Sequence, residues 1–345
     1  MEDSNGGTRS PRPRRLPYPA VIERRPARLT YAIACFAIAS LVLSACNDDG
    51  VTAAASGHNP PPQPTTSTTI APRLLPGHTS WIETFVDRSR PTTPAAGTPM
   101  PSRTLVTALY RPNGAGPFPL IVFSHGLDGH PAKFTKLFAA WADAGFAIAA
   151  PAFPLTNSRA PDPNSNVADV GQQPADVSFV LDKVLALDEQ PRSRLFHAID
   201  VSRIGAGGLS LGGLTTYMLV YGACCRDRRI DAVEVLDGVR SGERLDGHVP
   251  LLIAHSDTDP TLPYSSAMEA FAAARAPAWF VTLHGASHAS EWEDTVTPFD
   301  HIAERITIDF WDATLNGNSQ AFARLQRDAT VPGLSSIVSK AKTPQ

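Results

Sequence analysis

The chain has 345 residues, of which 43% are hydrophobic and 18% are charged, so it has enough apolar mass for a full core. Its formal net charge of −3 gives no support for nucleic-acid binding. The charge is uneven, because residues 1–45 carry seven Arg, no Lys and three acidic residues, which leaves a balance of −7 for the rest.

An apolar run of thirteen residues, 31–43, follows this basic segment. As a helix it would span only about 20 Å, which is too short for a hydrocarbon core of ~30 Å. A basic start, a short apolar stretch and small residues after it predict a secretory signal peptide over residues 1–45. Arg24 and Arg25 leave twin-arginine export open as an alternative to the general route.

The next residues, Leu43-Ser44-Ala45-Cys46, resemble the lipobox of bacterial lipoproteins. The resemblance implies that Cys46 is lipidated and becomes the mature N-terminus, so that the protein is exported and anchored to the outer face of the cell membrane. An ordinary signal peptide cleaved near Ala45, or an uncleaved anchor, is the alternative. Residues 46–78, rich in Pro and Thr, predict a flexible stalk.

Beyond the stalk, apolar segments with strand and helix patterns alternate. The predicted strands are Thr104–Tyr110, Leu120–Ser124, Phe146–Ala150, Arg203–Ala206, Ile230–Leu236, Pro250–His255 and Trp279–Leu283. The predicted helices are Pro131–Ala144, Asp176–Leu187, Leu211–Tyr221, Ser265–Ala274 and Ala303–Leu315. Continuous apolar strands between helices predict a mainly parallel central sheet with helices on both faces, in one α/β domain over residues 79–330. Residues 331–345 are expected to form a C-terminal tail.

The strongest motif is Gly-Leu-Ser-Leu-Gly at residues 208–212. It follows a predicted strand and opens a predicted helix, which is the context of a nucleophile elbow. Glycines on both sides of the serine allow close backbone approach, and the helix N-terminus favours a developing anion. The motif indicates that Ser210 is a nucleophile, the alternative being a glycine-rich turn with an incidental serine.

A serine hydroxyl needs a base to remove its proton, and in this arrangement an acid and then a histidine follow in the chain. The predicted strand Pro250–His255 ends in a turn with two carboxylates, of which Asp259 is favoured and Asp257 could cap the turn. His288 lies on a glycine-containing loop after the last predicted strand and is the expected base. His284, at the strand end, is expected to be a packed histidine.

A further glycine-containing loop, Phe-Ser-His-Gly-Leu-Asp-Gly at residues 123–129, follows a buried strand. A tetrahedral oxyanion needs two preorganised N–H donors. We expect them to be the backbone N–H groups of Leu127 and of Leu211, the residue after the nucleophile. A plain glycine turn is the alternative.

Together these segments resemble the α/β-hydrolase superfamily, and within it the bacterial esterases similar to dienelactone hydrolase, platelet-activating-factor acetylhydrolase and chlorophyllase, with cutinase-like polyester hydrolases as relatives. The resemblance covers roughly residues 80–315. It implies the α/β-hydrolase fold, with Ser210 as nucleophile, Asp259 as the acid that orients the base, and His288 as the base. The sequence departs from the pattern at Leu209, where relatives often have a polar residue, and at Asp237, where they usually have a neutral one.

The expected activity is two-step hydrolysis of carboxylic esters, on short-acyl, lipid-like or polyester substrates. We expect the protein to be a monomer and to need no metal or organic cofactor. Only about a dozen residues separate the strand ending at Leu236 from Pro250, so no large cap domain is expected. The loop Leu155–Pro174 is the nearest candidate for a lid. A serine peptidase or amidase on the same fold, or a non-catalytic surface-binding lipoprotein, is the alternative. Cys224 and Cys225 could be free thiols or form a vicinal disulfide.

Overall fold

The computed structural model describes residues 73–247 and 249–340. The predicted signal peptide, the lipobox and Cys46 lie outside the described residues. Nine strands form one sheet: β1 (Arg73–Asp87), β2 (Arg103–Ala115), β3 (Phe118–Ser124), β4 (Ala147–Ala152), β5 (Ile199–Leu209), β6 (Ala232–Leu236), β7 (Leu251–Ser256), β8 (Ala278–Leu283) and β9 (Ser335–Ser339).

The strand order is β1-β2-β4-β3-β5-β6-β7-β8-β9. The six strands from β4 to β8 in this order are parallel, whereas β1, β2 and β9 pair antiparallel with their neighbours. The central strands β3, β4, β6, β7 and β8 are buried along their whole length, as strands covered on both faces must be. The prediction of a mainly parallel α/β sheet is confirmed.

Helices pack on both faces of the sheet, as predicted. They are α1 (Thr135–Asp143), α2 (Gln173–Asp188), α3 (Leu211–Tyr221), α4 (Tyr264–Ala273), α5 (Asp300–Leu315) and α6 (Ser319–Asp328). Apolar side chains of α2, α3 and α4 form one buried core, and those of α1, α5 and α6 form a second core on the opposite face. Within the described part of the chain, no helix combines the length and apolar character that crossing a bilayer requires.

The sheet extends further at both ends of the chain than the sequence predicted. Strand β1 begins at Arg73, so the last residues of the stalk predicted over 46–78 are paired with β2, across a register shift between Leu75 and His78. Strand β9 lies inside the tail predicted over 331–345 and pairs with β8. Edge strands need little apolar side-chain pattern, because backbone hydrogen bonds to a formed sheet hold them, and neither segment has such a pattern.

The helix predicted over Pro131–Ala144 is divided. A 3-10 turn over Pro131–Lys133 precedes α1, and Phe134 between them has a non-helical backbone with φ of −120°. The side chain of Asp294 accepts hydrogen bonds from the backbone N–H groups of Thr135 and Lys136, at 3.0 and 2.8 Å. This distant carboxylate satisfies the first turn of α1, so the helix starts where a tertiary contact caps it.

Candidate active site

Ser210 lies in the sharp turn between β5 and α3. Its backbone has φ of +56°, which is unusual for a residue with a side chain. A Cβ atom at Gly208 would overlap the carbonyl oxygen of Gly212, and one at Gly212 would overlap the carbonyl oxygen of Ser124. Only glycine therefore fits on the two sides of this turn, and the turn presents the Ser210 side chain at the carboxyl edge of the sheet.

The structure brings Ser210, His288 and Asp259 together in one hydrogen-bonded row. The Oγ of Ser210 lies 2.8 Å from Nε2 of His288, and Nδ1 of His288 lies 2.6 Å from Oδ2 of Asp259. Because a carboxylate only accepts, Nδ1 carries the proton and donates it to Asp259, which leaves Nε2 to accept from the serine hydroxyl. Chemically, this row can deprotonate the serine and hold the resulting imidazolium.

The Asp259 carboxylate is buried and fully engaged. Its Oδ1 accepts hydrogen bonds from the backbone N–H groups of Thr261 and Leu262, at 2.7 and 3.0 Å. Burial alone would raise the pKa of Asp259, but hydrogen bonds from His255 and His288 and the backbone hold this pKa well below its usual range. Asp259 is therefore ionised throughout the neutral pH range.

Asp257 and His284, the alternatives to Asp259 and His288, form a separate pair away from Ser210. The side chain of Asp257 contacts Nδ1 of His284 at 2.8 Å and accepts the backbone N–H of Gly285 at 2.8 Å. The other ring nitrogen of His284 lies 3.0 Å from Oγ of Ser336, on β9. Asp257 thus stabilises the turn after β8, and not its own turn after β7, which was the turn that it was considered to cap.

The glycine loop after β3 lies directly against the serine. A Cβ atom at Gly126 would be 3.3 Å from Cβ and 3.8 Å from Oγ of Ser210. The buried ring of His125 shapes the loop, since Nδ1 donates to the carbonyl of Gly126 at 2.7 Å and Nε2 accepts the backbone N–H of Phe153 at 3.0 Å. Burial lowers the pKa of His125 to about 4, so the ring stays neutral. Leu127 follows Gly126, and both line the same pocket as Leu211.

A cavity of about 500 Å³ opens at Ser210 and His288. Its wall is mostly apolar and comes from the loop after β3, from α3 and from the turn before α4. The apolar lining residues are Leu127, Val167, Leu209, Leu211, Leu214, Val239, Pro260, Leu262, Pro263 and Ala289. Besides Asp259, the charged side chains that line it are Arg240 and Glu293. A site of this size and polarity suits a small, largely apolar organic group.

The predicted lid segment forms one fixed wall of this cavity. It contains a 3-10 helix, Asn164–Gln172, whose Val167 faces the pocket. The fully buried guanidinium of Arg103 binds Asp169 of this helix through two hydrogen bonds of 2.9 Å, and also binds Asp176 of α2. Breaking such a buried ion pair by removing one partner is costly, so the segment is held firmly.

Sequence analysis assigned no role in the site to two buried polar residues beside Asp259. Asp237 follows β6 directly, and His255 lies near the end of β7; both are fully buried. Among the described residues, Asp237, His255 and Asp259 are the group whose ligand atoms lie close enough to hold a metal ion, within 4.8 Å of one another. Their carboxylates already accept N–H donors, so they do not fit a cation well. A polar residue inside an otherwise apolar strand was the available signal for His255.

In comparisons with known proteins, no protein-family profile matches the chain, and no curated protein sequence matches it. The geometry of the site therefore carries the functional interpretation.

Proposed function

We propose that this protein is a serine hydrolase of the α/β-hydrolase superfamily that cleaves carboxylic esters. One observation carries the proposal: Ser210, His288 and Asp259 are hydrogen-bonded in series at a strand–turn–helix elbow. Their chain order, serine then acid then histidine, is the order typical of this superfamily. Membership of the branch similar to dienelactone hydrolase is part of the same proposal and depends on the sequence motifs.

In the proposed mechanism, Oγ of Ser210 attacks the ester carbonyl while Nε2 of His288 takes its proton. Asp259 holds the proton of Nδ1 and stabilises the imidazolium. The proton that Nε2 took from Ser210 then passes to the leaving alkoxide, which departs as the alcohol. In the second step His288 deprotonates a water molecule that attacks the acyl-enzyme, and then returns this proton to Oγ of Ser210 as the acid leaves. The N–H groups of Leu127 and Leu211 are the proposed donors to the oxyanion, where loss of one donor costs about 3 kcal/mol.

The cavity supports esters with an apolar group near the carbonyl as the substrate class. Its mostly apolar wall favours an apolar group beside the carbonyl over the polar backbone of an extended peptide. Among its described residues, the loop between β6 and β7 contributes Val239, Arg240 and Ser241 to the wall, so these residues form a short border on one side of the cavity. This arrangement suits short-acyl, lipid-like or polymeric esters.

The same proposal includes the location of the enzyme. Anchored through a lipid on Cys46 and separated from the membrane by the stalk, the catalytic domain would act as a monomer on esters at the extracytoplasmic face. The lipobox motif is the support for this part.

The experiment that tests the function combines active-site labelling with a substrate panel. Wild-type protein should react with a fluorophosphonate and hydrolyse p-nitrophenyl esters, whereas the matched p-nitroanilide amides should react far more slowly. Ser210→Ala should lose the label and at least about a thousandfold of the turnover. Ser266→Ala removes another serine hydroxyl of the same cavity and is the matched control, which should keep both. Turnover retained in folded Ser210→Ala, or lost equally in both variants, would refute the assignment.

A further inference from the structure

Two buried side chains, His255 and Asp237, lie in sequence behind Asp259, on the side away from His288. The Nε2 of His255 lies 3.3 Å from Oδ2 of Asp259 and 3.3 Å from the carbonyl oxygen of Leu262. The Nδ1 of His255 faces Oδ1 of Asp237 at 3.9 Å and makes no hydrogen bond within the described part of the chain. Oδ2 of Asp259 therefore lies between two histidine rings, those of His255 and His288.

The neighbours of His255 determine where its protons are. Both groups at Nε2 are acceptors, so Nε2 must carry a proton. A neutral ring would then direct the Nδ1 lone pair at the buried carboxylate of Asp237, which is repulsive and leaves a buried nitrogen unsatisfied. One further proton between Nδ1 and Oδ1 of Asp237 removes the conflict. Whichever atom holds this proton, the pair has no net charge.

Asp237 cannot turn away from this contact. Its Oδ1 accepts the backbone N–H of Ser256 at 2.9 Å, and its Oδ2 accepts the indole N–H of Trp292 at 2.5 Å. Its backbone N–H is bound to the carbonyl of Ala254 at 2.8 Å, and its φ is +43°. The carboxylate is thus held from β7 and from the loop that also carries His288.

Building on the proposed esterase function, we propose that His255 and Asp237 are positioning residues that share one proton and hold the Asp259 carboxylate toward His288. His255 supplies an N–H donor to the oxygen that also accepts from His288. Asp237 accounts for the other ring nitrogen, Nδ1. Because the pair holds one proton at this end of the ring, the Nδ1 lone pair does not oppose a bare carboxylate. Neither residue touches the substrate in this scheme.

Protonation of the pair should affect the catalytic base. His255 is faced by Asp237 after β6, Asp259 after β7 and the ring of Tyr264 on α4, and the charge of His288 after β8 acts on Asp237. Burial disfavours the His255 cation, but the hydrogen bond to Asp259 and the charge of Asp237 outweigh it and raise its pKa. Burial also raises the pKa of Asp237, to about 6, against the opposing charges of His255 and His288.

As the pH falls through the pKa of Asp237, this carboxylate becomes neutral. The His255 cation then lies beside Asp259 without the second negative charge that had balanced it. The cation weakens the negative charge of Asp259 that stabilises the His288 imidazolium, so activity should fall as Asp237 is protonated. The acid limb of kcat/KM against pH should then be steeper than a single ionisation gives, because protonation of Asp237 adds to protonation of the catalytic base.

Substitutions at His255 separate the donor from the shared proton. In His255→Gln the amide N–H can still reach Asp259 but cannot share a proton, so kcat should stay nearer to wild type while the acid limb becomes that of one ionisation. In His255→Phe the N–H donor is also lost, so kcat should fall about 10- to 100-fold with little change in KM. This is the loss typical when a residue that hydrogen-bonds to a metal ligand is removed, and here Asp259 takes the place of that ligand. His284→Gln is the matched control, since His284 contacts the other carboxylate, and its profile should equal wild type.

A measurement independent of turnover tests the shared proton directly. In ¹⁵N spectra of the histidine rings, Asp237→Asn should lower the pKa of His255 by about 1 or more, because an anion is removed from a buried ring. Asp257→Asn, the matched control, should leave this pKa unchanged. An unchanged pKa of His255 in folded Asp237→Asn, or a wild-type acid limb in His255→Gln, would overturn the inference. Failure of Ser210 labelling would instead remove the esterase proposal and leave the pKa result standing.

Discussion

At the scale of single residues, the arrangement of Asp259 determines which protons His288 carries. Two backbone N–H groups hold Oδ1 of Asp259, and Oδ2 faces the histidine rings. The carboxylate therefore has one orientation, and this orientation keeps the proton on Nδ1 of His288. The proposed role of Ser210 as nucleophile depends on that tautomer, since only an unprotonated Nε2 can accept from Ser210.

Asp259→Asn should lower kcat by about 10⁴-fold, the loss known for such a change in Ser-His-Asp sites. Because the backbone N–H groups of Thr261 and Leu262 select the amide oxygen, the amide nitrogen would take the place of Oδ2 and direct its N–H groups at His288. The ring would then carry its proton on the wrong nitrogen. Steady-state hydrolysis of a p-nitrophenyl ester measures the effect.

Asp257→Asn is the control for this prediction, because Asp257 lies two residues away and contacts His284 instead of His288. It should keep kcat within a few-fold of wild type. If Asp257→Asn were the more damaged variant, the acid of the site would have to be reassigned.

At the scale of elements, the turn from β5 to α3 is built by close backbone contacts. Gly212, in the first turn of α3, lies against the carbonyl of Ser124 at the end of β3, and Gly208 lies against Gly212. These contacts let the helix begin close to the sheet, so that Ser210 and the loop of Gly126 lie side by side. The packing of the elements and the geometry of the site therefore depend on the same glycines.

Gly212→Ala should destabilise the protein by at least about 1–3 kcal/mol, the cost of forcing extra volume into a packed site. The overlapping atom is a backbone carbonyl of a central strand, which cannot move without disturbing the sheet. Urea unfolding followed by circular dichroism measures the change.

Gly171→Ala provides the comparison, because a Cβ atom there meets nothing within 4 Å. Its free energy of unfolding should stay within about 0.5 kcal/mol of wild type. Equal stability of the two variants would show that the elbow tolerates a side chain at residue 212.

At the scale of the whole molecule, the site is assembled from the ends of several parallel strands. Ser210 follows β5, Asp259 follows β7 and His288 follows β8, and the sheet aligns these ends at one edge. The loop of His288 is attached across the molecule, because Asp294 binds the start of α1 and its backbone N–H donates to Lys133 at 2.6 Å. None of the three residues of the proposed triad comes from the segment before β1, so the proposed catalytic site does not depend on the proposed anchor.

Cys46→Ser should release the protein from the membrane fraction, as soluble protein or as unprocessed precursor, because the proposed lipid is attached to this thiol. Activity on soluble esters should survive. Cell fractionation followed by immunoblotting measures the distribution. Cys35→Ser, within the predicted signal peptide, is the matched control and should remain in the membrane fraction. A processed Cys46→Ser protein that stays bound to membranes would exclude the lipoprotein anchor.

The sequence by itself determined the local parts of the site. The motif around Ser210 specifies its own turn, because a strand, a glycine pair and a helix start are all local, and α3 was predicted at its observed bounds. The alternation of apolar strands and helices likewise determined the parallel sheet. Asp259, His288, Leu127 and Leu211 could be chosen as candidates from the order of the strands and loops along the chain.

Only the tertiary structure decided features that depend on groups distant in sequence. The start of α1 depends on Asp294, and the edge strands β1 and β9 depend on backbone pairing to strands already in place. The partners of His255 and Asp237 come from two strand ends that meet only in the folded sheet. Such contacts leave no periodic pattern in the sequence. Each of them joins two single residues from distant segments, whereas periodicity arises when residues of one segment face the core at regular intervals.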